Sequence, residues 1–112
     1  MVKQNKDYGY EIQKLYLEMM LSDAETFVRC QSIFDYTLFD RKLQETADFV
    51  NKYVVQYNSL PTYDIVNKSC NMELKAADNL TEEHFNWLLD DFETFVRHKS
   101  LERAILKSAD ML

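Results

Sequence analysis

The chain has 112 residues, enough for one domain with a modest core. It carries a formal net charge of −6 and a 46% hydrophobic share, with one glycine and one proline. This scarcity of turn formers argues against an all-β fold, and an acidic average field does not draw in a phosphate backbone. The composition therefore predicts an all-helical domain with short breaks and no direct nucleic-acid contact.

The first stretch, residues 1–9, is polar and lacks the apolar segment of a signal peptide; it is expected to fray. Tyr10 to Leu21 reads as the first helix, with Ile12, Leu15, Tyr16, Met19 and Met20 on its apolar face. Ser22 followed by Glu25 fits a capping box, so a second helix is predicted from Asp23 to about Ile33. Its buried positions are expected at Ala24, Phe27, Val28 and either Cys30 or Gln31. Asp35 is placed to cap a short turn carrying Tyr36, Leu38 and Phe39.

The third helix, Asp40 to Tyr57, is the centre of the pattern. Leu43, Ala47, Val50, Val54 and Tyr57 recur at steps of four and three, which keeps them on one helical face. Phe49 and Tyr53 widen that face, as expected of a helix surrounded on more than one side. Pro61 ends it, because proline disfavours helical geometry at Leu60 and brings no backbone donor. Thr62 then caps a short helix from Tyr63 to about Cys70, with Ile65 and Val66 turned inward. Asn71 to Leu80 is expected to be a loop.

Thr81 caps the last helix, and Glu82 and Glu83 in its first turn suit the positive end of the helix dipole. No breaker follows before Leu112, so the helix is expected to reach roughly 45 Å. It has two apolar faces. Phe85, Leu88, Leu89, Phe92, Phe95 and Val96 lie on one side; Trp87, Leu101, Ile105 and Leu112 lie nearly opposite. One face suits the head of the domain. The other predicts a partner surface, formed by Trp87, Leu101, Ile105 and Leu112, for a second protomer or for sequence beyond Leu112.

Little in the chain points to catalysis. A phosphate-binding loop or a dinucleotide fingerprint needs several glycines, and Gly9 stands alone. His84 and His98 have no carboxylate three residues before them, so a helical metal site is not indicated. Asp90 and Asp91 point to different sides of a helix and read as solvated. Cys30 and Cys70 form no CxxC and read as neutral thiols of a reducing compartment. Tyr53, Tyr57 and Tyr63 read as packing around the proline turn, and no run of Lys or Arg forms a basic stripe. No apolar run approaches the roughly 20 residues of a membrane span, and a cytoplasmic location follows as the default.

Taken in order, these features resemble the N-terminal domain of replicative hexameric DNA helicases of the DnaB type, phage-encoded ones in particular. Glu11, Leu15, Met20-Leu21 and Asp23 resemble the family's opening helix and its break. Tyr36 to Phe39 supplies the aromatic segment before the central helix, in which Phe49 and Val50 match an aromatic-rich core. Tyr57-Asn58-Ser59-Leu60-Pro61-Thr62 is similar to the family's proline turn, although Ser59 and Leu60 stand where the family often has glycine. No Gly-Gly segment precedes the last helix, another departure from cellular members. Trp87 to Leu106 resembles the helix that leaves the head and begins a helical hairpin.

The resemblance covers about Tyr10 to the C-terminus; after the frayed residues 1–9 it implies a helical head over 10–80 and a long helix over 81–112 that packs on the head and extends as the first hairpin arm. It implies a non-catalytic collar domain that self-associates into a dimer or hexameric ring and contacts primase and, in some systems, the helicase loader. It implies no cofactor in this chain, ATP and Mg²⁺ belonging to a motor domain elsewhere, and the host cytoplasm if the protein is phage-encoded. The alternatives are a stand-alone helical adaptor or inhibitor acting on a replication complex, and a small metal enzyme using His84 and His98.

Overall fold

The computed structural model describes residues 8–110. Among them lie five α-helices and one 3-10 turn, with no strand. The helices are α1 (Tyr10–Met20), α2 (Ala24–Gln31), α3 (Arg41–Tyr57), α4 (Tyr63–Cys70) and α5 (Glu82–Asp110), and the 3-10 turn spans Tyr36–Leu38. The fold is all-helical, as the composition predicts; α5 has 29 residues, about 43 Å at 1.5 Å per residue, in a molecule whose longest extent is 45 Å.

Local chemistry explains most boundaries. Asp35, Asp40 and Thr62 each accept a backbone N–H at the start of the element they cap. Glycine is almost absent, and asparagine takes over its role at helix ends. Asn58 and Asn71 adopt left-handed backbone angles (φ 54° and 55°) where α3 and α4 stop. Asparagine tolerates this region far better than branched residues do. At the start of α2 the cap differs from the sequence expectation. Asp23, not Ser22, receives the Thr26 N–H, while the Ser22 hydroxyl donates back to the Met19 carbonyl at 2.6 Å. The helix also ends at Gln31, short of Ile33, because the chain turns there into the Phe34 contact with the core.

The core is aromatic and centred on α5. Leu88, Phe92 and Phe95 are fully buried, with Phe85, Leu89 and Val96 packed at the margin. This is the first of the two faces expected for the last helix. The Phe92 ring lies 5.7 Å from Tyr16, 6.1 Å from both Phe34 and Phe39, and 5.8 Å from Phe95. Such tilted and edge-on pairs add stabilisation beyond the area they bury.

The periodicity misjudges several edges. On α1, Leu15 is exposed, while Gln13 and Leu17 are buried. On α2, Ala24 and Val28 face solvent, and Thr26, Phe27 and Cys30 face inward. On α3 the buried stretch stops at Val50; Val55 and Tyr57 are exposed, so only the first half of that helix is surrounded. On α4, Val66 is buried and Ile65 is at the surface. In each case the packing against neighbouring elements covers only part of the helix surface, and spacing alone does not say where it ends.

Buried polar groups lock the elements together. Gln13 accepts the Asp40 N–H at 2.6 Å and donates to the Tyr8 carbonyl. It thereby ties the segment before α1 to the start of α3. The segment between α4 and α5 is held by Asn67, whose side-chain oxygen accepts the Leu74 N–H at 2.8 Å and whose amide donates to the Leu74 carbonyl at 3.0 Å. Leu74 is thereby sealed in the core. The Tyr63 hydroxyl donates to the Glu18 carbonyl at 2.7 Å, fastening α4 to the end of α1.

Candidate interaction surface

The functional candidates lie along α5. Its start is held by reciprocal capping: the Thr81 hydroxyl accepts the His84 N–H at 3.4 Å, and His84 Nδ1 accepts the Thr81 N–H at 2.9 Å. His84 thus occupies the place that a Glu or Gln fills in a capping box. His98 lies 4.0 Å from Glu102 and its ring 5.6 Å from Tyr8. Among the described residues no three His, Cys, Asp or Glu side chains cluster closely enough to hold a metal ion. No helix among them is long and apolar enough to cross a membrane.

Asp91 is not a solvated carboxylate, contrary to the sequence expectation. It accepts the hydroxyl of Tyr16, a side chain fully sealed in the core. Burial, followed by this hydrogen bond and the nearby negative charge of Asp91, raises the Tyr16 pKa far above the usual phenol range. Burial likewise pushes the Cys30 thiol from 9.0 up to about 11 and raises the Tyr63 hydroxyl and the Cys70 thiol.

The sign of the resulting pH effect is the same for all four groups. Each is neutral when protonated and holds its proton more tightly in the folded state. Their stabilisation is therefore full below the unfolded-state values and is lost as pH rises. These four groups are expected to leave the melting temperature unchanged from neutral pH to about 9 and to lower it between 9 and 11, with the Cys30 thiol alone contributing on the order of 2 kcal/mol. Calorimetry across that range checks this; a Cys30→Ala chain with an unchanged slope would remove the thiol from the explanation.

The predicted partner surface is placed as follows. Leu101 and Ile105 are 61% and 60% exposed on the outer side of α5. Trp87 is 39% exposed, with its ring 6.2 Å from that of Tyr16, so it is partly packed on the head and belongs only partly to the outer face. Leu112 lies outside the described residues. From Ser100 to Ala109 every residue is exposed. Sequence spacing missed Leu106, which is 62% exposed and turned away from Leu101 and Ile105.

The last turns of α5 do not run free of the head. The Arg103 guanidinium donates to the Thr37 carbonyl at 3.0 Å and to its hydroxyl at 2.8 Å, and lies 3.7 Å from Asp35. An open groove of about 470 Å³ separates α5 from the 3-10 turn; Thr37 and Phe39 form one wall, and Lys99, Arg103, Leu106 and Lys107 the other. A short basic row therefore exists where the sequence reading finds none. Its signal was the four-residue spacing of Lys99, Arg103 and Lys107, which aligns them on one helical face without being a consecutive run.

No family model matches the chain, and no curated protein or solved structure is significantly similar to it.

Proposed function

We propose that this chain is a non-catalytic protein-interaction domain of the kind that forms the N-terminal collar of replicative DnaB-type helicases, phage-encoded ones in particular. Its role is self-association into a dimer or ring and contact with primase or a helicase loader during DNA replication. The single observation that carries this is the two-sidedness of α5. Leu88, Phe92 and Phe95 are spent on the head, while Leu101 and Ile105 remain open to water on the other side. Fully burying such a side chain is worth about 1.5–3 kcal/mol, so two per protomer give a second copy a real driving force. The acidic charge and the single glycine also fit a chain that leaves nucleotide hydrolysis, with its ATP and Mg²⁺, to a separate motor domain.

The test is sedimentation of the chain and of Leu101→Asp/Ile105→Asp. The native chain is expected to sediment above its monomer mass, and the double variant as a monomer whose circular dichroism stays helical. Equal masses for the two would defeat the proposal. The helicase assignment has its own check in the reading frame after Leu112. A Walker A loop downstream supports the collar, and a stop codon supports a stand-alone adaptor or inhibitor of a replication complex.

A further inference from the structure

The groove between α5 and the 3-10 turn lies away from the Leu101 and Ile105 face, and its chemistry differs. Leu101 and Ile105 offer only hydrocarbon. The groove offers three cations in a row beside an exposed leucine. Lys99, Arg103 and Lys107 follow one another at four-residue intervals, so they rise about 6 Å apart along the helix axis.

The charges of the groove are unevenly answered. Glu102 sits 3.7 Å from Lys99 and 4.0 Å from His98 on its own helix. Asp35 sits 3.7 Å from Arg103, too far for a good charge-assisted hydrogen bond. The Arg103 side chain is half-exposed, and its guanidinium has five donors, of which Thr37 takes part. Among residues 8–109 no acidic side chain pairs with Lys107. A lysine in the last helical turn is ordinary, because it complements the helix dipole. The dipole does not account for a row of three cations beside Leu106 in a groove whose guanidinium is already held in place.

We propose that this groove docks an extended acidic segment of a partner protein, with carboxylates at alternate positions and an apolar side chain next to them. In an extended chain, alternate side chains share one side and lie roughly 6.6 Å apart, close to the spacing of the cations on α5. The apolar neighbour covers Leu106. Charge complementarity selects the acidic partner. Single-stranded nucleic acid fits less well: its bases need exposed rings to stack on, and Phe39, the one aromatic lining the groove, is buried and presents no face for a base.

The proposal does not depend on self-association, so it is tested in the Leu101→Asp/Ile105→Asp background as well as in the native chain. The probe is a short fluorescent peptide alternating Glu with Ser and carrying one Leu, compared by anisotropy with its Gln counterpart and with a labelled oligothymidylate. Binding of the Glu peptide is expected to weaken with salt and to fall about tenfold in Lys107→Glu, and further in Lys99→Glu/Lys107→Glu. Lys52→Glu, which changes the net charge equally on α3, is expected to leave it unchanged. Failure of the Glu peptide to bind at low salt overturns the proposal. So does equal binding of the Gln peptide, an unaltered affinity in the double variant, or tighter binding of the oligonucleotide, the last replacing an acidic peptide with nucleic acid. If the acidic peptide binds only the native chain and not the Leu101→Asp/Ile105→Asp variant, the site is formed between copies and the single-chain groove is excluded.

Discussion

Phe92→Ala is expected to be among the most damaging single substitutions in the chain, lowering the unfolding free energy by about 3–5 kcal/mol. Phe92 is fully buried at the point where α1, the segment after α2, the 3-10 turn and α5 meet, and its ring touches four other aromatic rings. Truncation removes apolar burial and leaves a cavity whose walls are rings from four separate segments. Those rings cannot close the gap without moving the elements that carry them. A domain of this size has about 5–15 kcal/mol to lose, so the variant is expected to be partly unfolded near body temperature. Urea titration followed by far-ultraviolet dichroism measures it. A loss below about 1 kcal/mol would mean that the aromatic cluster relaxes freely and is not the keystone of the packing.

Gln13→Ala is expected to cost about 2 kcal/mol, although the residue is polar and removes little apolar area. Gln13 is almost completely buried, and both ends of its amide are engaged. The alanine leaves the Asp40 N–H and the Tyr8 carbonyl without their partner at a site that water reaches poorly. Asp40 is also the N-cap of α3, accepting the Lys42 N–H at 3.0 Å, so the loss extends to the start of the central helix. Gln13→Glu separates the two halves of the effect. It keeps an acceptor for Asp40 and, while protonated, an O–H donor for Tyr8; ionisation removes that donor and buries a charge. Its stability is expected to drop as pH rises and the carboxyl ionises, since burial penalises the charged form. Urea midpoints at acidic and neutral pH would show this; a pH-independent difference from the native chain would rule out a buried ionising group.

These two positions mark what spacing can and cannot reveal. Phe92 was legible, because a helix that places Leu88, Phe92 and Phe95 at steps of four and three shows its buried face in one dimension. Gln13 was not, because its partners lie before α1 and at the start of α3, and a glutamine amid apolar residues reads as a surface position. Asn67 hid in the same way, since its partner Leu74 lies across a turn that no periodicity describes. The candidate surface divides similarly. Leu101 and Ile105 were visible as a stripe facing away from the core. That Trp87 is partly drawn into the head by Tyr16, and that Arg103 fastens the far end of α5 to Thr37, depends on residues dozens of positions away.

The amino-acid order by itself determined an all-helical chain, the extent of α3 and α4, the caps at Asp35, Thr62 and Thr81, and a last helix that buries Leu88, Phe92 and Phe95 while Leu101 and Ile105 stay exposed. All of these follow from interactions within a turn or two of backbone, where neighbours in sequence are neighbours in space. Only the tertiary structure decided which half of α3 is enclosed, that the Tyr16 hydroxyl donates a hydrogen bond to Asp91, and that a cationic groove opens beside the 3-10 turn. Those features arise where distant segments meet, and the position of each meeting is set by the packing of the whole aromatic core, a sum over many contacts that no local pattern contains.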